Sequence, residues 1–167
     1  GTKSAHAFVA TGFTRGFKDI IALKAKRVTR ELSPSELDEE FAVFCEDVYA
    51  DYGKAFNTRA DNAEPGLIRG LKNAVVSKLL RTSVKNALKK FIKDRISLEV
   101  RLFGENRLWM IEEDTQPLQQ GFRMASWDLK KEDTRIDDGK TSDIDILDAF
   151  EYSIEEYTRS IVDASTY

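Results

Sequence analysis

Leu32-Ser33-Pro34-Ser35-Glu36 is the strongest local constraint in this chain, because it fixes where a helix must begin. Ser33 carries the side-chain oxygen an N-cap needs, Pro34 suits the first helical position, and Glu36 completes a capping box. Such a start is worth about 1 kcal/mol. Leu37, Phe41, Phe44, Cys45 and Val48 then recur at helical spacing, and Gly53 supplies a stop after Tyr52. Upstream the pattern changes. Ala5 to Phe13 and Asp19 to Thr29 read as strands joined by Thr14-Arg15-Gly16-Phe17-Lys18, a glycine-bearing connection of hairpin length. A hairpin followed by strands alternating with amphipathic helices predicts an α/β layer fold.

Lys54 to Ala60 predicts a short strand running into Asp61-Asn62-Ala63-Glu64-Pro65. A helix follows, with Leu67, Ile68, Leu71, Ala74 and Val75 on its apolar side. Asp61 falls at the carboxyl end of the strand, where ligands of open α/β sheets gather. Asp61 or Asn62 could equally cap the helix, with Pro65 in its first turn. Val84 to Phe103 carries two competing periods. Leu88, Phe91 and Ile92 are spaced for a helix, whereas Ile96, Leu98, Val100 and Leu102 alternate as in a strand. Helix to about Phe103 is the expectation, then a turn at Gly104-Glu105-Asn106 and a strand from Arg107 to Ile111; a hairpin is the competitor. Asp114 to Met124 reads as a further helix with Pro117 in its first turn. Leu129 to Ser142 is a polar loop containing Asp137-Asp138-Gly139.

Asp143, Asp145 and Asp148 crowd the start of the last predicted helix, whose apolar face is Leu147, Phe150, Ile154, Tyr157 and Ile161. Asp145 and Asp148 are one helical turn apart and project to the same side. Carboxylates held about 4 Å apart repel by roughly 4 kcal/mol at an effective dielectric near 20. A hard divalent cation such as Mg²⁺ or Mn²⁺ would relieve that repulsion. Capping is the competing account: Ser142 can be the N-cap with Asp145 at N3, where the helix dipole favours acids.

A chain of 167 residues, 41% apolar and 33% charged, is expected to form one domain with a real core. No apolar run approaches membrane-spanning length. The single cysteine, Cys45, excludes an intramolecular disulfide, and the lone His6 excludes a histidine-rich metal centre, so any metal must be held by oxygen. The net charge of −3 is unevenly spread. Between Arg69 and Arg107 bases outnumber acids, and Lys85, Lys89, Arg95 and Arg107 are candidate contacts to a polyanion such as DNA. Solvated lysine-rich helix faces would give the same composition. The chain begins at Gly1 without an initiator methionine, and the expectation is a fragment of a longer protein.

Four stretches in order resemble the C-terminal nuclease domain of bacteriophage large terminases. They are Ser4-Ala5-His6-Ala7-Phe8-Val9-Ala10-Thr11-Gly12-Phe13; Thr58 to Leu67 around Asp61-Asn62-Ala63-Glu64-Pro65; Arg107 to Trp127-Asp128; and Ser142 to Tyr152. The resemblance implies a ribonuclease H-like mixed sheet flanked by helices, and two-metal endonuclease chemistry on concatemeric double-stranded DNA. It implies Asp61, Asp145 and Asp148 as catalytic, metal-binding acids for two Mg²⁺ or Mn²⁺ ions. Asp143, which has no secure equivalent in the family, Glu64 and Lys140 are candidates to support them from beside the site, a solvated loop lysine being the alternative for Lys140. It further implies a preceding ATPase domain, portal protein and small terminase subunit as partners, and the cytoplasm of an infected bacterium as the location. The family's first acid lies in a strand ahead of the Ser-Ala-x-Phe segment, which this chain does not include. A junction resolvase of similar fold and a non-catalytic DNA-binding or docking module are the alternatives.

Overall fold

The computed structural model describes residues 6–54, 56–125, 135 and 144–165. In chain order the elements are β1 (His6–Phe13), β2 (Ile20–Val28), α1 (Pro34–Tyr52), β3 (Phe56–Ala60), α2 (Pro65–Ser77) and β4 (Thr82–Asn86). They are followed by α3 (Ile92–Gly104), β5 (Leu108–Met110), α4 (Gln116–Met124), α5 (Ile144–Ile154) and α6 (Thr158–Asp163).

The hairpin forms as expected. β1 and β2 pair antiparallel from His6 opposite Val28 to Phe13 opposite Ile20, with an irregularity between Ala10 and Thr11. Between them Gly16 adopts φ 73°, which glycine reaches without steric cost. β5 joins the other edge of β2 in parallel, and β3 and β4 form a separate parallel pair. Helices flank these strands, so the architecture is a mixed-sheet α/β fold of the ribonuclease H-like type.

Ser33 caps α1 as the sequence requires, although Glu36 answers through the Ser33 hydroxyl and not through its backbone amide. Ser33 Oγ accepts from the Glu36 amide at 3.2 Å and donates to Glu36 Oε1 at 3.2 Å. At the other end Gly53, at φ 66°, donates its amide to Tyr49 O.

Three expectations need correction. Thr82–Asn86 is a strand, outside the helix expected to dominate this region, because its β-branched Thr82 and Val84 pair with β3 and Val84 is buried. The helix starts only at Ile92, and the alternating Ile96-Leu98-Val100-Leu102 run belongs to it. Leu98 and Leu102, four apart, are buried while Val100 is exposed, so the 3.6 period governs. The C-terminal helix is not continuous: Glu155–Tyr157 form a 3₁₀ turn between α5 and α6. Ser142, its expected cap, lies outside the described residues, as do Trp127, Asp128 and the Asp137-Asp138-Gly139 loop.

Two cores result. One gathers Ile20, Ala22, Leu98, Leu102, Leu118 and the α5 residues Ile146, Leu147, Phe150 and Ile154, together with Ile161. The other joins α1 to α2 and the second sheet through Phe41, Ala42, Cys45, Ile68, Leu71, Leu80 and Val84. Cys45 is thus a core residue, and burial pushes its thiol up to about 12.

Candidate functional site

α5 lies along β1, fixed by its fully buried Ile146, Leu147, Phe150 and Ile154. That leaves Asp145, Asp148, Ala149 and Tyr152 on the face turned towards the end of β3. Asp61 follows the last residue of β3, and its Oδ1 accepts from the Ala63 amide at 2.9 Å, an Asx turn ahead of α2. The N-cap position of α2 is Glu64, whose side chain makes no capping bond. Asp61, Asp145 and Asp148 line one cavity of about 370 Å³. Two acids one turn apart on α5 and a third from a distant strand therefore open onto the same space.

Each acid has a cationic neighbour. Lys89 Nζ is 2.6 Å from Asp61 Oδ1, and Arg27 is 3.3 Å from Asp145. Asp148 Oδ1 accepts from Arg95 at 2.8 Å and from Arg135 at 3.1 Å. Burial is the main influence on Asp148 and lifts its carboxyl to about 6; Arg95 and Arg135 pull against this, and Glu151 adds to it. Among the described residues no three carboxylate, imidazole or thiolate groups stand close enough to hold a metal ion. The donor chemistry suits Mg²⁺ or Mn²⁺, since all three acids offer hard oxygens to one cavity.

The sequence did not single out the cluster beneath Asp148. Glu151 is 1% exposed and bonds Arg135 through both oxygens at 2.6 and 2.9 Å, with Arg95 at 3.1 Å. Glu99, also buried, faces Glu151; burial first and then that carboxylate hold its proton on well above neutrality. An acid inside the apolar stripe Leu147-Phe150-Ile154 is the available signal, because a buried carboxylate requires partners. Nothing local indicates that Arg135 is one of them.

The four candidate DNA contacts divide. Lys85 and Lys89 are exposed, Lys89 being the partner of Asp61. Arg95 and Arg107 are buried. Arg107 donates to Lys18 O, Phe17 O and Ile161 O at 2.6, 3.0 and 2.7 Å and pairs with Glu105, so it ties the first hairpin turn to α6. Asp143 and Lys140 lie outside the described residues.

The fold has a solved counterpart. The structure is similar to the crystal structure of the g2p large terminase nuclease domain from bacteriophage SPP1 with bound Mn, at a TM-score of 0.60. The likeness covers 93% of this chain and 80% of that one. The chain has the fold of a large terminase nuclease domain. Sequence identity over the match is 18%, and the sequence itself matches no family model and no curated protein.

Proposed function

We propose that this chain is the nuclease domain of a phage large terminase, cutting double-stranded concatemeric DNA during packaging with divalent metal held by Asp61, Asp145 and Asp148. The observation that carries this reading is the opening of those three acids onto one cavity, within a fold shared with a Mn-bound nuclease domain. Metal bound there would activate water and stabilise the charge that develops at the scissile phosphate. The protein's part is to hold Asp148 in place through Arg95 and Arg135, and to set Asp61 by its Asx turn. Lys85 contributes attraction for the duplex, and Asp143, Glu64 and Lys140 support the acids. An ATPase domain, portal and small subunit belong to the same reading, as does action in the cytoplasm of the infected host.

The test is plasmid cleavage in Mn²⁺ by the protein with its natural upstream residues. Cleavage that disappears in both Asp61→Ala and Asp148→Ala supports the assignment; an intact plasmid with folded wild type overturns it. The ion pairs on all three acids favour a second reading, a DNA-binding or docking module without cutting. In that case Mn²⁺ leaves the thermal midpoint unmoved, whereas a metal bound only by the folded state raises it.

A further inference from the structure

The turn between β4 and α3 holds large apolar side chains out in water. Phe91, the residue that precedes α3, is 82% exposed, and Leu88 is 50% exposed. One such residue on a surface needs no explanation. These two share a short turn, Ala87 to Phe91, with Lys89 and Lys90 between them. Lys85 and Lys93 flank it, and Asp94 is the nearest acid in the chain on that side.

The turn is anchored from within. Ala87 is buried and donates its amide to Ala60 O at 2.8 Å. Glu155, 2% exposed, accepts from the Lys89 amide at 2.6 Å and from the Lys90 amide at 3.4 Å. Lys89 adopts φ 54°, a left-handed conformation that persists in a residue other than glycine only where its surroundings impose it. A backbone fixed in this way keeps Leu88 and Phe91 exposed instead of letting them fold onto the core.

Its position limits what it can meet. Lys89 Nζ lies 2.6 Å from Asp61 Oδ1, so the turn reaches a wall of the acid cavity. Two residues of chain span at most about 7 Å, and successive nucleotides of one strand rise about 3.4 Å. Phe91 therefore stands within a few base steps of a phosphate seated at the acids. Lysines around an exposed ring match a polyanion with an aromatic interior: the ammonium groups suit phosphates, and the ring suits the faces of bases.

We propose that Leu88 and Phe91 form an apolar wedge that enters the base stack of DNA beside the acids, with Lys85 and Lys93 on the neighbouring phosphates. The identity of the ligand as DNA comes from the proposed function, whereas the wedge is read from the turn alone. Insertion of an apolar side chain partly unstacks a base step and kinks the duplex. Steps that deform easily, pyrimidine–purine ones above all, are then the preferred substrates.

Binding without divalent metal tests this, since no strand is then cut. The probe is a short G·C duplex with one central TA step whose adenine is 2-aminopurine, a base that brightens when it loses its stacking. Wild type should raise the fluorescence. Phe91→Ala should abolish the rise and weaken binding about tenfold, with the salt slope unchanged because a ring releases no counterions. Phe91→Leu should keep part of the rise. Lys93→Ala should instead lower the salt slope by about one. Quenched fluorescence in the wild-type complex, equal affinity of wild type and Phe91→Ala, or no duplex binding at all overturns the wedge. A ring that serves a protein partner would give the second of these results. None of them bears on plasmid cleavage in Mn²⁺, which decides the nuclease reading separately.

Discussion

Arg95 and Asp148 form a 2.8 Å ion pair that joins α3 to α5, with the arginine side chain 7% exposed. The same guanidinium reaches Glu151, and Arg135 bonds both acids from the other side. Two arginines and two acids thus share one partly buried cluster, with Glu99 at its edge, where burial and then the neighbouring Glu151 hold its proton on.

That division of protonation predicts unequal mutants. Glu151→Gln removes the charge that balances two buried guanidinium groups and should cost about 3–5 kcal/mol in urea unfolding. Glu99→Gln keeps the size and donor capacity of the protonated acid and should cost under about 1 kcal/mol. Equal losses would mean that Glu99 is ionised.

Asp148 gives a pH dependence of definite sign. Its carboxyl is raised from an ordinary 3.8 to about 6 in the folded state, so the folded protein binds the proton more tightly than the unfolded chain. Its contribution to stability is fully present below about pH 4 and is lost as pH rises through about 6. Against Asp148→Asn, metal-free wild type should lose about 2 kcal/mol between pH 4 and 7. Thermal midpoints across that range check it; a constant difference would remove the assigned shift.

Arg107 and Lys85 separate fold from DNA contact. Arg107→Lys cannot reach three carbonyls and Glu105 with one ammonium, and should lower stability by about 2–4 kcal/mol. Lys85→Ala should leave stability within about 0.5 kcal/mol and reduce the salt dependence of duplex binding by about one unit of slope. Fluorescence anisotropy at several salt concentrations reads the second effect.

Gly121 of α4 is buried against α5, and a Cβ there would come within 2.5 Å of Ile146 Cγ2. Gly121→Ala should therefore cost about 1–3 kcal/mol despite the better helix propensity of alanine. Ile146→Val leaves that methyl in place and should not rescue it, whereas Ile146→Ala should recover part of the loss. Double-mutant unfolding curves decide.

Ser33, Glu36 and Gly53 were readable because capping is settled within a few residues of chain. The hairpin was readable for the same reason. Thr82–Asn86 was not: its residues become a strand only by pairing with Phe56–Ala60, and four of the five are not fully buried. At the candidate site, Asp61, Asp145 and Asp148 were visible as acids at an element's end or on one helical face. Their cations were hidden, since Arg95 and Lys89 looked like members of a basic surface and Arg135 lay in a polar loop. Charge composition identifies such residues without showing which of them turn inwards.

Ser153 and Glu156 stand three residues apart and hold different sheets, one through Thr11 and the other through Arg59. The helical segment carrying them acts as a caliper whose jaws are two side chains. Shortening one jaw, as in Glu156→Asp, would alter how far apart β1 and β3 rest while leaving the hydrogen-bonded interior of each sheet intact.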